Sequence, residues 1–156
     1  MIQRDVLMRQ IRQLGQALAE IVTTSQTGEP NAVLEQVDEA LQVHLDGTAA
    51  DLRTLPPETL LAMCDDDGRF DPEAAQTLAR LLNVQGDAHR EREEREEAGA
   101  CFGRSLLLYR RLLEEPDAPV SWKIGTTVAA LTERVDTLPV DDATEAALDA
   151  LRNGAD

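Results

Sequence analysis

Two histidines, two cysteines and thirty carboxylates are the residues through which this chain could do covalent or metal chemistry. A zinc site needs His and Cys at short fixed separations, because one turn of backbone must present two ligands together. His44, His89, Cys64 and Cys101 offer no such pair, and no His-Glu-x-x-His run occurs. Three residues before His44 stands Leu41, and three before His89 stands Gly86. The Glu-x-x-His pattern of helical di-metal sites is therefore absent as well. There is no glycine-rich phosphate loop and no Gly-x-Ser-x-Gly elbow. The cysteines read as buried, reduced thiols.

The run Asp65-Asp66-Asp67-Gly68-Arg69-Phe70-Asp71-Pro72-Glu73 invites comparison with a calcium loop. With Gly68 at the sixth position, the first and twelfth would be Met63 and Ala74, where carboxylates are required. The run reads instead as a solvated turn leading into a helix. Asp71 suits the N-cap, Pro72 the first helical position and Glu73 the positive end of the helix. No catalytic, cofactor-binding or metal residue is assigned, no cofactor is implied, and the chain reads as non-enzymatic. A metal-dependent enzyme using carboxylates and one histidine is an alternative supported only by the abundance of acids.

The elements that would position any site are helices. Across 156 residues the formal net charge is −15 and aromatic residues make up only 3%, while Leu and Ala dominate. Such a charge repels phosphate backbones and anionic lipid, which excludes general nucleic-acid and membrane-surface binding. It suits a basic or amphipathic protein partner. No run of about 18 apolar residues exists, and no signal-peptide core follows Met1 to Asp5, so the expected location is cytoplasmic.

Leu7, Ile11, Leu14, Leu18 and Ile21 alternate spacings of four and three, the stripe of an amphipathic helix over about Ile2 to Val22. Gly15 within it predicts close approach of a neighbour. A second helix, about Ala32 to Leu45, ends at Asp46 and Gly47. Pro56 and Pro57 mark a break. The organisation read from this is a helical pair over 1–47, a linker over 48–57 and a helical region over 58–156. That region starts with a short helix from about Glu58 to Cys64 and continues helical from Pro72. The mixed charge run Arg90 to Glu97 is either a turn or part of one helix of about 40 residues. Gly99 and Gly103 form a packing notch in the helix that reaches Glu115. Helices over about Val120 to Asp136 and Asp142 to Arg152 complete an all-α fold of about six to seven helices, arranged as antiparallel hairpins. Asp142 and Glu145 have capping-box spacing.

Within Leu82 to Arg110, five residues carry a likeness to a known family. Leu82 and Gly86 fall where a first helix prefers a large apolar residue and a glycine, and Ala98, Phe102 and Ser105 where a second prefers alanine, an aromatic and a small residue. The segment resembles a single degenerate tetratricopeptide repeat, a helix-turn-helix of 34 residues. The resemblance implies that small residues let two helices approach while Phe102 fills the space between them. The opening run Asp5 to Ala19 is similar to that of a family of uncharacterised bacterial all-helical proteins of unknown function, with Val6 where that family has an aromatic residue. These features point to a protein–protein interaction or scaffolding module. A self-assembling structural protein, a homodimer joined through the stripe Leu7, Ile11, Leu14, Leu18 and Ile21, is the alternative.

Overall fold

The computed structural model describes residues 4–45, 49–116 and 121–154. The chain is all-α, with eight helices and one two-stranded hairpin among these residues. The helix start at Ile2, the stop at Asp46 and Gly47, and the start at Val120 lie outside them. None of the described helices is long and apolar enough to cross a membrane.

Helices α1 (Arg4–Gln26) and α2 (Pro30–Leu45) pack on each other and on α5 (Pro72–Glu91); in the chain between α2 and α5, α3 (Ala49–Thr54) touches both, and α4 (Pro57–Ala62) follows it. The stretch 48–57 thus carries α3, whose Leu52 is buried in the same core as α1 and α5. Next comes a hairpin of β1 (Asp65–Asp66) and β2 (Arg69–Phe70). Its central residues, Asp67 and Gly68, both have positive φ, +53° and +82°. Asp-Gly is the pair that such a mirror-image turn favours. The backbone N–H of Asp71 returns to the carbonyl of Cys64 at 2.6 Å, and the Asp71 carboxylate caps α5 by accepting from the N–H groups of Glu73 and Ala74.

The centre of the molecule is α6 (Arg95–Leu112), which buries twelve of its 18 residues. α5 runs antiparallel to it on one side. α7 (Trp122–Thr137) and α8 (Asp142–Gly154) cover others. α7 starts at the N-cap Ser121, whose hydroxyl accepts from the N–H of Ile124 at 3.2 Å. The cap of α8 is Asp141, one residue before the capping-box start expected at Asp142. Its carboxylate accepts from both the N–H and the hydroxyl of Thr144. Thr144 is fully buried, so the register of the cap is fixed by packing against α6.

The glycines of α6 explain how so many neighbours fit. A Cβ on Gly99 would collide with the carbonyl oxygen of Pro139, and one on Gly103 would press on Val140 and Thr144 at 3.1 Å. The notch therefore admits the α7–α8 connection and the start of α8. Gly15 contacts Thr77 only at ordinary distances of 3.5 Å and more, so the neighbour there is not unusually close. Gly125, in α7, faces open space. We expect Gly125→Ala to raise stability by about 0.5–1 kcal/mol through lost unfolded-state freedom, and Gly99→Ala to lower it by about 3 kcal/mol through overpacking. Urea denaturation reads both, and a Gly99→Ala protein as stable as its parent would refute the close approach.

Candidate functional site

The five residues of the repeat-like pattern come together in the α5–α6 hairpin. Leu82, Ala98, Phe102 and Ser105 are fully buried. A Cβ on Gly86 would stand 2.7 Å from the Phe102 ring, so the ring rests directly on the glycine backbone. Ser105 Oγ donates to the carbonyl of Ala79 across the interface at 2.7 Å. The ring is also covered by Arg134 of α7, whose guanidinium lies 5.0 Å from its centroid and donates to Asn83 Oδ1 at 3.1 Å. All five are interior packing and none offers a surface to a partner.

The stripe on α1 is also spent inside the chain. Ile11, Leu14, Leu18 and Ile21 are buried and Leu7 is partly buried, packed on the core shared with α2 and α5. Self-association through these residues would first have to open that contact.

Pro72 to Glu115 is a hairpin rather than one long helix. The break is made without glycine or asparagine. Glu93 takes φ +62°, the left-handed position that glycine usually fills after a helix. Its N–H donates to the carbonyl of Arg90 at 3.0 Å, and the N–H of Glu94 to that of His89 at 2.9 Å. These are the two bonds of a Schellman ending. The apolar contact that usually accompanies such an ending is replaced here. His89 and Glu94, at the same two positions, are joined by Nδ1 and Oε1 at 2.9 Å. Arg92 adds an ion pair to Glu94 at 3.2 Å, and Arg53 of α3 faces His89 Nε2 at 3.4 Å. A neutral imidazole with its proton on Nδ1 satisfies both contacts. The signal in the sequence was a histidine five residues before a glutamate, which is weak without the backbone bonds that bring them together.

A His–carboxylate pair could orient a general base, but it needs a nucleophile or substrate beside it. Burial pushes the thiols of Cys64 and Cys101 up to about 12, which keeps them protonated and inert. Among the described residues no three His, Cys, Asp or Glu side chains gather as a metal ligand set. His89 and Glu94 therefore act as a clip on the turn. A second buried polar node is Arg104 on α6. Its guanidinium donates to the carbonyls of Leu55 and Ala100 and to Asp141 Oδ1, at 2.9, 3.2 and 2.8 Å. Burial alone would raise the Asp141 carboxyl. The hydrogen bonds from Thr144 and Arg104 outweigh it and hold the group below its ordinary range.

Two open features flank α7. On one side, α6, α7 and α8 enclose a groove of about 290 Å³. Leu106, Val135, Leu138, Val140 and Leu148 form its walls, and Asp136, Glu145 and Asp149 its rim. On the other, α1, α5, α6 and α7 meet around a pocket of about 310 Å³ that contains Arg80 and Lys123. Neither was visible in the sequence, because each combines residues from three or four helices. Compared with known proteins, the chain matches no family model, no curated protein and no solved structure.

The turn generates two expectations. Glu93→Gly removes the strain of a side chain at positive φ and should raise stability by about 1 kcal/mol; unchanged or lower stability in urea would argue against this ending. The second concerns acid. The hydrogen bond from His89, with Arg92 adding to it, holds the Glu94 carboxyl below the ordinary glutamate range. Its contribution is therefore complete above that range and lost as pH falls through the depressed value. Glu94→Gln should be less stable than wild type at pH 7, with the gap closing as pH falls below the ordinary glutamate range. A gap independent of pH would rule out the carboxylate as its source.

Proposed function

We propose that the protein is an interaction module whose α6–α7–α8 groove receives a basic, amphipathic helix of a partner protein. The observation that carries this reading is the groove's rim. The carboxylates of Asp136, Glu145 and Asp149 are exposed and make no ion pair or hydrogen bond among the described residues. Among the described residues Arg110 is the cation in the groove, and it reaches the carbonyl of Leu148. Three carboxylates against one guanidinium leave the described lining negative. Asp136 stands in the last turn of α7, where the helix dipole disfavours a carboxylate. A lysine or arginine on a docked helix would relieve that cost.

The apolar walls suit one or two large side chains of the same helix, the anchors through which helix-in-groove recognition gains most of its affinity. Support also comes from the net charge of −15 and from the repeat-like residue pattern of the hairpin beneath the groove.

A designed Leu/Arg amphipathic helix tests the site against mere net charge. Affinity would be measured for wild type, for Asp136→Asn/Glu145→Gln/Asp149→Asn, and for a charge-matched control, Glu20→Gln/Glu35→Gln/Glu39→Gln, on α1 and α2. Loss of the rim should weaken binding by about tenfold or more, and the control should change it little. Equal losses in the two variants, or no binding to wild type, would reject the groove as the docking site.

A further inference from the structure

The pocket on the other flank of α7 has the opposite chemistry. Among the described residues its lining contains no Asp or Glu, although the chain has 30 of them. The groove described above and the α1–α2, α1–α5 and α2–α5 clefts each contain at least one. Two cations enter it instead, Arg80 from α5 and Lys123 from α7, and Lys123 is the sole lysine of the chain. The first turn of α7 opens at the same place. Its first intrahelical bond is the N–H of Gly125 to the carbonyl of Ser121, so the N–H groups of Trp122 and Lys123 precede the ladder. The positive end of that helix dipole adds to the two cations.

A second feature points independently to a ligand. Tyr109, on α6, is 3% exposed and lines this pocket; its hydroxyl has no hydrogen-bond partner among the described residues and is not sealed from solvent. Buried tyrosine hydroxyls ordinarily find one. Burial pushes the Tyr109 hydroxyl up from its ordinary range, with Arg80 pulling it partly back. It is therefore a proton donor at neutral pH, in a pocket whose described lining has no carboxylate to accept. Asn83 adds another donor. Its Oδ1 is held by Arg134 at 3.1 Å, which leaves its NH2 free to turn to the pocket. Val22, Val84 and Ile124 supply apolar wall between these polar groups.

We propose that this pocket binds a small organic anion, a carboxylate or phosphate head on a short apolar body. Arg80, Lys123 and the start of α7 hold the head, the Tyr109 hydroxyl donates to it, and the three aliphatic side chains contact the body. A volume of about 310 Å³ sits at the lower end of small-ligand sites, which fits a body of several carbons rather than a cofactor.

Octanoate and octyl phosphate are suitable probes, with octanol and octylamine as neutral and cationic counterparts. Trp122 is the sole tryptophan, is 86% exposed and adjoins Lys123, so its emission reports binding beside calorimetry. At least one anion should bind saturably, and its head names the preferred group. Octanol and octylamine should bind at least about tenfold more weakly. Arg80→Gln and Lys123→Gln should each weaken the anion by about tenfold. Tyr109→Phe should weaken it several-fold while leaving the melting temperature unchanged or raised, because the hydroxyl it removes bonds no group among the described residues. The proposal is overturned if neither anion binds at millimolar concentration, if octanol binds as tightly, or if binding survives the two cation substitutions. Normal binding by Tyr109→Phe, or a melting temperature that drops with it, would overturn it equally.

Discussion

The structure depends on one constraint: α6 is enclosed by its neighbours, so every residue on it must suit an interior contact. Twelve of its 18 residues are buried, including two glycines, an arginine and a serine. Such a helix cannot carry bulk on all sides. Gly99 and Gly103 give up side chains where the α7–α8 connection crosses, and Phe102 takes the space released by Gly86 on α5. Close packing of this kind is unforgiving, since protein interiors leave few voids to absorb an added methyl group. The arrangement of α5, α7 and α8 is therefore set by where α6 is large and where it is small.

Burying Arg104 on this helix would be costly without partners, and it has three, one on its own helix and two from other parts of the chain. The carbonyl of Leu55 and the cap residue Asp141 are 49 and 37 residues away in sequence. One guanidinium thus fixes the segment before α4 and the start of α8 to the same turn of α6. The His89–Glu94 clip does comparable work at the other end of the hairpin. Arg104 and the His89–Glu94 pair each tie together segments that the helices alone would leave separate.

Helix type, the cap of α5 and the glycine notch were legible in the sequence, because each rests on local periodicity or on residues a few positions apart. Asp71-Pro72-Glu73 states a helix start whatever surrounds it. The β1–β2 hairpin had a readable signal in Asp67-Gly68, but two residues of strand on each side are too few to show alternation. The hairpin turn was left open, since Glu93 at positive φ is an unusual choice that only the bonds around it reveal. The cap at Asp141 differs from its neighbour Asp142 only by the burial of Thr144. The α1 stripe showed that its side chains are buried, not whether α2 and α5 or a second copy covers them. Periodicity identifies a face and is silent about its partner.

The candidate sites lay beyond the sequence for a related reason, which the geometry of α7 makes explicit. That helix docks through a narrow stripe in which Ile124 and Leu131 are the buried residues. Its two flanks remain as walls. Lys123 and Thr127 line the pocket around Arg80, while Thr132 and Asp136 line the acidic groove. Each of the second pair lies nine residues after one of the first, about two and a half turns, which places the pairs on opposite sides of the helix. A single helix thus separates two recesses of opposite charge, one at its positive end and one beside a carboxylate in its last turn. In a chain of net charge −15 an acidic groove is unremarkable by itself. A recess whose described lining has no carboxylate, and holds the sole lysine and a tyrosine hydroxyl without a partner among the described residues, departs from the composition around it. Composition gives no reason for that departure, and a bound anion does.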